Sequence, residues 1–229
     1  MSGARLPAMS SHDAHAHAHD HPHFAGRDPH AAVEDAATPS RFLLLEQAIR
    51  ELLIEKGVLT ADAIRRQMES TDARTPARGA QVAARAWVDP DFKAWLLRDA
   101  KAAVESMGFD ISPGPGLAAV ENTETRHHLV VCTLCSCYPR KLLGIPPAWY
   151  KSRAYRSRAV IDPRGVLVEF GTELPATTEI RVVDSTADLR YMVLPKRPRG
   201  TAGWNEAQLA TLVTRDSLIG VALARDPAA

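Results

Sequence analysis

The three cysteines of the chain, Cys132, Cys135 and Cys137, all fall within six residues. An odd number packed this closely cannot form a disulfide framework, and such clusters are typical of metal or redox sites. Three thiolates at these spacings can face one metal ion, and thiolates select zinc, iron–sulfur clusters or other soft metals. A closed zinc site or an iron–sulfur cluster requires a fourth protein ligand. Because the set is one ligand short, it favours an open, catalytic coordination position.

The tripeptide Cys135-Ser136-Cys137 adds a second kind of donor. Its two sulfurs flank the backbone nitrogens of Ser136 and Cys137. A strongly Lewis-acidic trivalent metal that removed those amide protons would bind two sulfurs and two nitrogens in one plane, with the Cys132 sulfur below it. A further position would stay free for water or substrate. The sequence therefore predicts a metal site on one loop, with Cys132, Cys135, Ser136 and Cys137 as its ligands.

The composition of the chain limits what surrounds this loop. The 229 residues, 45% of them hydrophobic, suit one domain with an extension. A net charge of +1 does not indicate binding to nucleic acid or to an anionic membrane. No apolar run approaches the roughly 20 residues that span a bilayer. The N-terminus has no apolar core of a signal peptide, so we expect a cytoplasmic protein.

The chain changes character along its length. Residues 1–40 hold seven of the nine histidines and few large apolar side chains, which predicts a disordered His-rich tail, either simply solvated or gathering metal. Residues 41–108 have helical periodicity and predict a helical arm. Residues 109–117 are rich in Pro and Gly and predict a linker. Residues 118–224 combine helical and strand patterns, so we expect an α+β fold with the catalytic part here.

Within these parts the patterns locate individual elements. Leu45, Ile49 and Leu52 follow one helix face that ends at Gly57, and an apolar arm of this kind predicts an obligate complex. Asp89-Pro90 predicts the start of a helix running to Met107. Asn205 and Gln208 resemble a capping box of a helix through Thr214. β-rich runs predict strands at His128–Val131, Ile180–Val183, Tyr191–Leu194 and Leu218–Ala222.

The segment Val131–Cys137 (VCTLCSC) resembles the metal-binding signature of nitrile hydratase alpha subunits. Thr133 is the variant that accompanies cobalt in this family, whereas serine accompanies iron. Leu143–Ser152 (LGIPPAWYKS) is similar to a second motif of the family. The resemblance extends over about residues 42–222, with further matching segments at Glu55–Gly57, Ala86–Pro90, Tyr155–Arg158, Asp162–Arg164, Arg190–Pro195 and Arg197–Thr201.

The resemblance implies a specific centre. One cobalt(III) ion would have Cys132 as its axial ligand, Cys135 as a sulfinate and Cys137 as a sulfenate. The catalytic groups would be Cys137 and Ser136, acting in the hydration of nitriles to amides. The family implies a helical arm, a layered α-β-β-α catalytic domain with a metal-claw loop, and a separate beta subunit in an α2β2 assembly. The beta subunit supplies the arginines that hold the oxidised sulfurs, and an activator protein loads the metal.

Two alternatives remain at the level of the sequence. Family hydratases have a tryptophan three residues after the last cysteine, but this chain has Arg140, as in the gamma subunit of thiocyanate hydrolase. An arginine near the mouth of the site suits an anionic substrate, although it would also suit a salt bridge to the partner. A non-catalytic zinc-binding module is the other alternative. His127 and His128 are predicted on a strand surface, and Trp149 and Tyr150 in the core or an interface.

Overall fold

The structure, a computed structural model, describes residues 41–227. The predicted His-rich tail of residues 1–40 lies outside this range. None of the helices within it is long and apolar enough to cross a membrane. The strands are β1 (Gly116–Glu121), β2 (Arg126–Val131), β3 (Glu179–Asp184) and β4 (Leu189–Leu194). The helices are α1 (Arg41–Glu55), α2 (Ala61–Asp72), α3 (Pro76–Val88), α4 (Pro90–Arg98), α5 (Ala100–Ser106), α6 (Arg140–Leu143), α7 (Ala148–Lys151), α8 (Arg153–Ile161), α9 (Pro163–Glu169), α10 (Glu206–Ala210) and α11 (Arg215–Ile219).

The four strands form two small parallel sheets. β1 pairs with β4, with Gly116 opposite Leu189, and β2 pairs with β3, with Arg126 opposite Glu179. Parallel neighbours need long crossover connections, and helices α6 to α9 follow β2 and precede β3 in the chain. The predicted mixture of helices and strands is confirmed, whereas the layered α-β-β-α order stays a prediction.

The described chain divides into two compact units, one ending at Thr60 and the other beginning at Ala61. In the first unit, α1 buries none of its residues, and Phe42, Leu45 and Ile49 of its apolar face are exposed. In the second unit, α3 packs against α6 and α10, and α4 packs against β1. Small residues of α3 such as Ala83 are fully buried in this packing. Their short side chains allow neighbouring elements to pack closely against the helix. The reach of residues 41–108 over a partner stays a prediction.

Several predicted elements differ in the structure. The helix expected from Pro90 to Met107 is broken at Asp99, whose side chain accepts a hydrogen bond from the Ala102 backbone and so begins α5. The predicted linker overlaps β1. The capping box of Asn205 and Gln208 is confirmed, but its helix ends at Ala210. The strand predicted over Leu218–Ala222 is wrong, because this run lies in α11 and the turn after it.

The two histidines of β2 form a buried polar network, so their predicted place on a strand surface is wrong. Asn122 Nδ2 donates to His127 Nδ1 at 3.0 Å, and His127 Nε2 donates to the Gly220 carbonyl at 2.7 Å. Asn122 Oδ1 accepts from the His128 backbone N–H at 2.7 Å. Gly220 has a φ of 87°, and a Cβ there would overlap the His128 carbonyl oxygen. The network fixes the strand that leads into the cysteine loop.

Acidification is expected to weaken this network. The ring of His127 is neutral in the network, and burial lowers the pKa of His127 below its ordinary value. The unfolded chain therefore binds more protons than the folded chain once the pH falls below about 6.5, and the free energy of unfolding decreases. We expect the thermal midpoint to fall between pH 7.5 and pH 5.5. His127→Gln, which keeps a donor for Gly220 but takes no proton, should show a smaller fall. An equal fall of the thermal midpoint in the wild type and in His127→Gln would contradict this role of His127.

Candidate metal centre

The cysteine loop begins where β2 ends, and it brings three sulfurs together. Cys135 Sγ lies 3.5 Å from Cys132 Sγ and 3.2 Å from Cys137 Sγ. All three sulfurs lie within 4.8 Å of one another. Cys132 and Cys137 are 1% and 8% exposed, whereas Cys135 is exposed to solvent. The cluster therefore has a buried base and one open side.

Backbone amides of the loop lie near its sulfurs. The Cys135 N–H donates to Cys132 Sγ at 3.3 Å, and the N–H groups of Ser136 and Cys137 act on the Cys135 thiol. Hydrogen bonds from the Cys137 and Cys132 side chains lower the pKa of Cys135 to about 7, with the two amides adding to the effect. Burial raises the pKa of Cys137 to about 11. The structure brings the three sulfurs together, and the binding of a metal by the amide nitrogens of Ser136 and Cys137 stays a prediction.

Thr133 holds the first half of the loop through all of its polar groups. Its backbone N–H and its hydroxyl donate to the two carboxylate oxygens of Asp184, at 3.0 and 2.6 Å. Its carbonyl accepts from Arg156 Nη1 at 3.2 Å. Asp184 closes β3 and lies opposite Val131 in the pairing of β2 with β3. The sheet register therefore places a carboxylate under the loop, which the sequence alone did not indicate.

Tyrosines hold the loop from beneath. Tyr150 Oη donates to the Cys137 carbonyl at 2.8 Å, and Tyr155 Oη donates to the Val130 carbonyl at 2.6 Å. The Tyr138 ring lies edge-on to the Tyr150 ring, 5.1 Å between centroids. Tyr150 is fully buried, as predicted for a core residue, and Trp149 packs partly buried beside it. This aromatic base fixes both ends of the cysteine loop.

Arg190 is a member of the site that we did not predict from the sequence. It lies on β4, and its guanidinium interacts with the Cys137 side chain, which lowers the pKa of that thiol against the larger effect of burial. Its position in the matching segment Arg190–Pro195 was a signal, but no pattern joined it to the cysteines. The connection arises because β4 pairs with β1 and also packs against β2.

A cavity of about 210 Å³ lies beside the loop. Its size suits a ligand of only a few non-hydrogen atoms. Arg140 and Arg190 line it, together with Tyr138 and apolar residues such as Leu117, and no acidic residue does so among the described residues. Arg140 is exposed and its guanidinium has no hydrogen bond or ion pair within residues 41–227. The cavity is therefore small, mostly apolar and positively charged at its rim.

The donor set fits a thiophilic metal. Three sulfurs on one loop suit a soft or borderline transition metal and not calcium or magnesium, which take oxygen ligands. Side chains of the described residues supply three sulfurs within 4.8 Å of one another. His127 and His128 are hydrogen-bonded in their own network and do not belong to this cluster.

Three comparisons place the chain among known proteins. Residues 40–222 match the family model described as nitrile hydratase, alpha chain. The chain is 50% identical over 183 residues to the alpha subunit of the high-molecular-weight cobalt-containing nitrile hydratase of Rhodococcus rhodochrous, covering 79% of this chain and 90% of that protein. It is 45% identical over 195 residues to the thiocyanate hydrolase gamma subunit of Thiobacillus thioparus, covering 80% of each.

A solved structure shows the same fold. A histidine double mutant of the iron-type nitrile hydratase from Comamonas testosteroni Ni1 matches with a TM-score of 0.75 and 42% identity. The match covers 82% of this chain and 94% of that chain. The similarity thus spans cobalt-containing and iron-type enzymes as well as thiocyanate hydrolase.

Proposed function

The chain belongs to the nitrile hydratase alpha-chain family, and on this basis we propose that it is the metal-carrying subunit of a cobalt nitrile hydratase, which converts nitriles to amides. The observation that carries the proposal is the cluster of three sulfurs within 4.8 Å of one another, open on the side of Cys135. A zinc-binding module would not use backbone amides as ligands, and it would require a fourth side-chain ligand.

We assign the metal and its ligands as follows. Cobalt(III), one ion per chain, would be held by the sulfurs of Cys132, Cys135 and Cys137 and by the amide nitrogens of Ser136 and Cys137. Thr133 and the cobalt-containing relatives support cobalt over iron. When bound, the metal supplies a Lewis acid that polarises a nitrile or lowers the pKa of water.

The cysteines of this chain would control access to the metal and take part in the reaction. The buried Cys132 and Cys137 keep solvent from one side of the centre, and Cys135 lies on its open side. An oxygen carried by Cys137 as a sulfenate would accept a proton from a water molecule that attacks the nitrile carbon. Alternatively, this oxygen would itself attack the carbon, after which its bond to sulfur would break and a water molecule would restore an oxygen on Cys137. Either route adds one water to R–C≡N and yields R–CO–NH2. Cys135 would carry a sulfinate.

A beta subunit is the expected partner, and we propose an α2β2 assembly loaded by an activator protein. Apolar side chains are exposed beside the cysteine loop, with Leu134 88% and Ile161 80% exposed. Exposed apolar surfaces of this kind mark protein interfaces. The unburied apolar face of α1 is a second such surface. Both would be covered by the partner subunit.

A thiocyanate hydrolase gamma subunit is the second candidate. The observation in its favour is Arg140, which has no ion pair within residues 41–227 and lies at the rim of a cavity that none of the described acidic residues lines. A guanidinium there would attract the thiocyanate anion. The relative from Thiobacillus thioparus supports this reading.

One experiment separates the candidates. The chain is coexpressed with its partner subunit and activator, and the purified complex is assayed for metal content, amide formation from a small neutral nitrile and consumption of thiocyanate. Amide formation with about one cobalt per chain is the expected result. Thiocyanate consumption without amide formation would select the second candidate. Tightly bound zinc with three unmodified thiols and no turnover would contradict both enzymes.

The carboxylate of Asp184 is expected to be needed for metal retention. Asp184→Asn removes one of the two acceptors that order Thr133, so the loop should hold its ligands less firmly. Outer-sphere partners of this kind contribute roughly tenfold or more to metal affinity. We expect the variant complex to lose cobalt faster than the wild type during dialysis against a chelator. Asp188→Asn, on the exposed turn before β4, is the matched control. Equal retention in all three proteins would remove Asp184 from the site.

A further inference from the structure

Arg190 is a cation that lies against the cysteine loop on the side of Cys137, whereas Arg156 contacts the loop at Thr133. Arg190 is held on β4 with Leu117 of β1 as its partner in the sheet register. Its guanidinium interacts with the Cys137 side chain, and both Arg190 and the residue after Cys137 line the same small cavity. The side chain therefore has a fixed place at the buried side of the site.

One nitrogen of this guanidinium is unused. Arg190 Nη1 is buried and has no hydrogen-bond partner among residues 41–227. A buried donor without an acceptor is costly, and a charged donor more so. Arg164, by comparison, donates to the backbone carbonyls of Leu174 and Thr178. A thiol is a weak acceptor, so the unmodified Cys137 cannot satisfy this donor.

We propose that Arg190 binds the oxygen that Cys137 carries after its oxidation, so that this chain itself supplies one cation for the oxidised centre. The inference rests on the proposed function. Cys137 is 8% exposed, so a sulfenate there is a nearly buried anion that requires a hydrogen-bonded cation. Cys135 is exposed and its oxygens would reach solvent or a partner subunit. Arg190 is therefore a positioning residue for Cys137, in addition to any arginine of the beta subunit.

This role has a chemical consequence. Thiols reduce a sulfenic acid by attacking its sulfur, with the oxygen leaving as water: R–SOH and R′–SH give R–S–S–R′ and H2O. The oxygen must therefore leave the sulfur. A guanidinium that holds this oxygen through hydrogen bonds hinders its departure. Arg190 should therefore preserve the single oxygen on Cys137 against cellular thiols.

The test uses the whole complex, coexpressed with the beta subunit and the activator. Wild type, Arg190→Met and Arg190→Lys are incubated with reduced glutathione, and peptide mass spectrometry gives the fraction of Cys137 that carries one oxygen. Cobalt content is measured in the same samples. We expect Arg190→Met to lose this fraction roughly fivefold or more, and Arg190→Lys, which keeps a charge, to lie between the two. Arg181→Met, at an exposed arginine of β3 that pairs with Glu179, is the matched control and should behave as wild type.

The outcomes separate this inference from the proposed function. A wild-type fraction of oxygenated Cys137 in Arg190→Met would overturn the role of Arg190, and so would a wild-type centre that turns over nitriles with an unmodified Cys137. A wild-type complex that retains cobalt but hydrates no nitrile would overturn the proposed function alone, because the mass of Cys137 still decides the role of Arg190. If Arg190→Met does not assemble, the comparison of Arg190→Lys with Arg181→Met decides it.

Discussion

Replacing Cys137 by serine is expected to abolish both cobalt retention and nitrile hydration. The substitution removes one planar sulfur and the atom that would carry the sulfenate oxygen. A serine hydroxyl is a harder and far less acidic donor, so it does not replace a thiolate. Turnover should fall roughly a thousandfold or more, since a ligand and the reacting oxygen are lost together. The measurements are cobalt content and amide formation by the complex expressed with its beta subunit and activator.

The fold should survive this substitution. Serine is smaller than cysteine, and the backbone of the loop stays held by Tyr150 through the Cys137 carbonyl. Continued association with the beta subunit would therefore identify a local chemical defect. Cys137→Ala, which has no donor at all, is the matched comparison, and equal cobalt loss in both variants is expected. Near-normal turnover of Cys137→Ser would contradict the role given to Cys137 and the ligand set with it.

Replacing Arg140 by tryptophan is expected to change which substrates the complex prefers. The exposed guanidinium at the cavity rim attracts anions, whereas an indole ring would form an apolar wall. One charge pair at about 4 Å contributes about 1 kcal/mol in water and more in a partly enclosed site. The measured quantity is the ratio of kcat/KM for a neutral nitrile to kcat/KM for an anionic substrate, which is thiocyanate or a carboxylate-bearing nitrile. We expect this ratio to rise roughly tenfold or more in Arg140→Trp.

Two further variants separate charge from shape. Arg140→Lys keeps the charge and should keep the wild-type preference. Arg140→Gln removes the charge without adding an aromatic wall, so it should lose the preference for anions without the full gain for neutral nitriles. If the ratio is the same in Arg140→Trp and in wild type, Arg140 does not face the substrate. A salt bridge to the beta subunit would then account for it, and weaker association of the two subunits would be the sign.

The chemistry of the centre was predictable because it is local in sequence. Cys132, Cys135 and Cys137 are only three and two positions apart in the chain. Few loop conformations would therefore hold their sulfurs far from one another. The structure brings these sulfurs together with the amides of the tripeptide. Similarly, Asp89-Pro90 and the capping box at Asn205 are local signals, and both begin helices. The roles of the three cysteines and Ser136 as metal ligands stay predictions.

Elements that depend on context were predicted less well. Leu218–Ala222 is a short apolar run that suits a strand or a buried helix equally. Thr214 caps it as helix α11 through a hydrogen bond from Ser217. β1 begins at Gly116 in a stretch of Pro and Gly, so its strand character comes from pairing with β4 and not from its composition. Asp99 interrupts a continuous helical pattern by capping α5.

The donor atoms, the open position that three sulfurs leave and the cation at Arg140 were all predicted from residue types and short spacings. Their surroundings depend on the packing of distant segments. The pairing of β2 with β3 puts Asp184 under Thr133, and the position of β4 puts Arg190 beside Cys137. Each of these contacts joins residues about 50 positions apart, because parallel strands are joined by long crossover connections and meet only when the chain has folded.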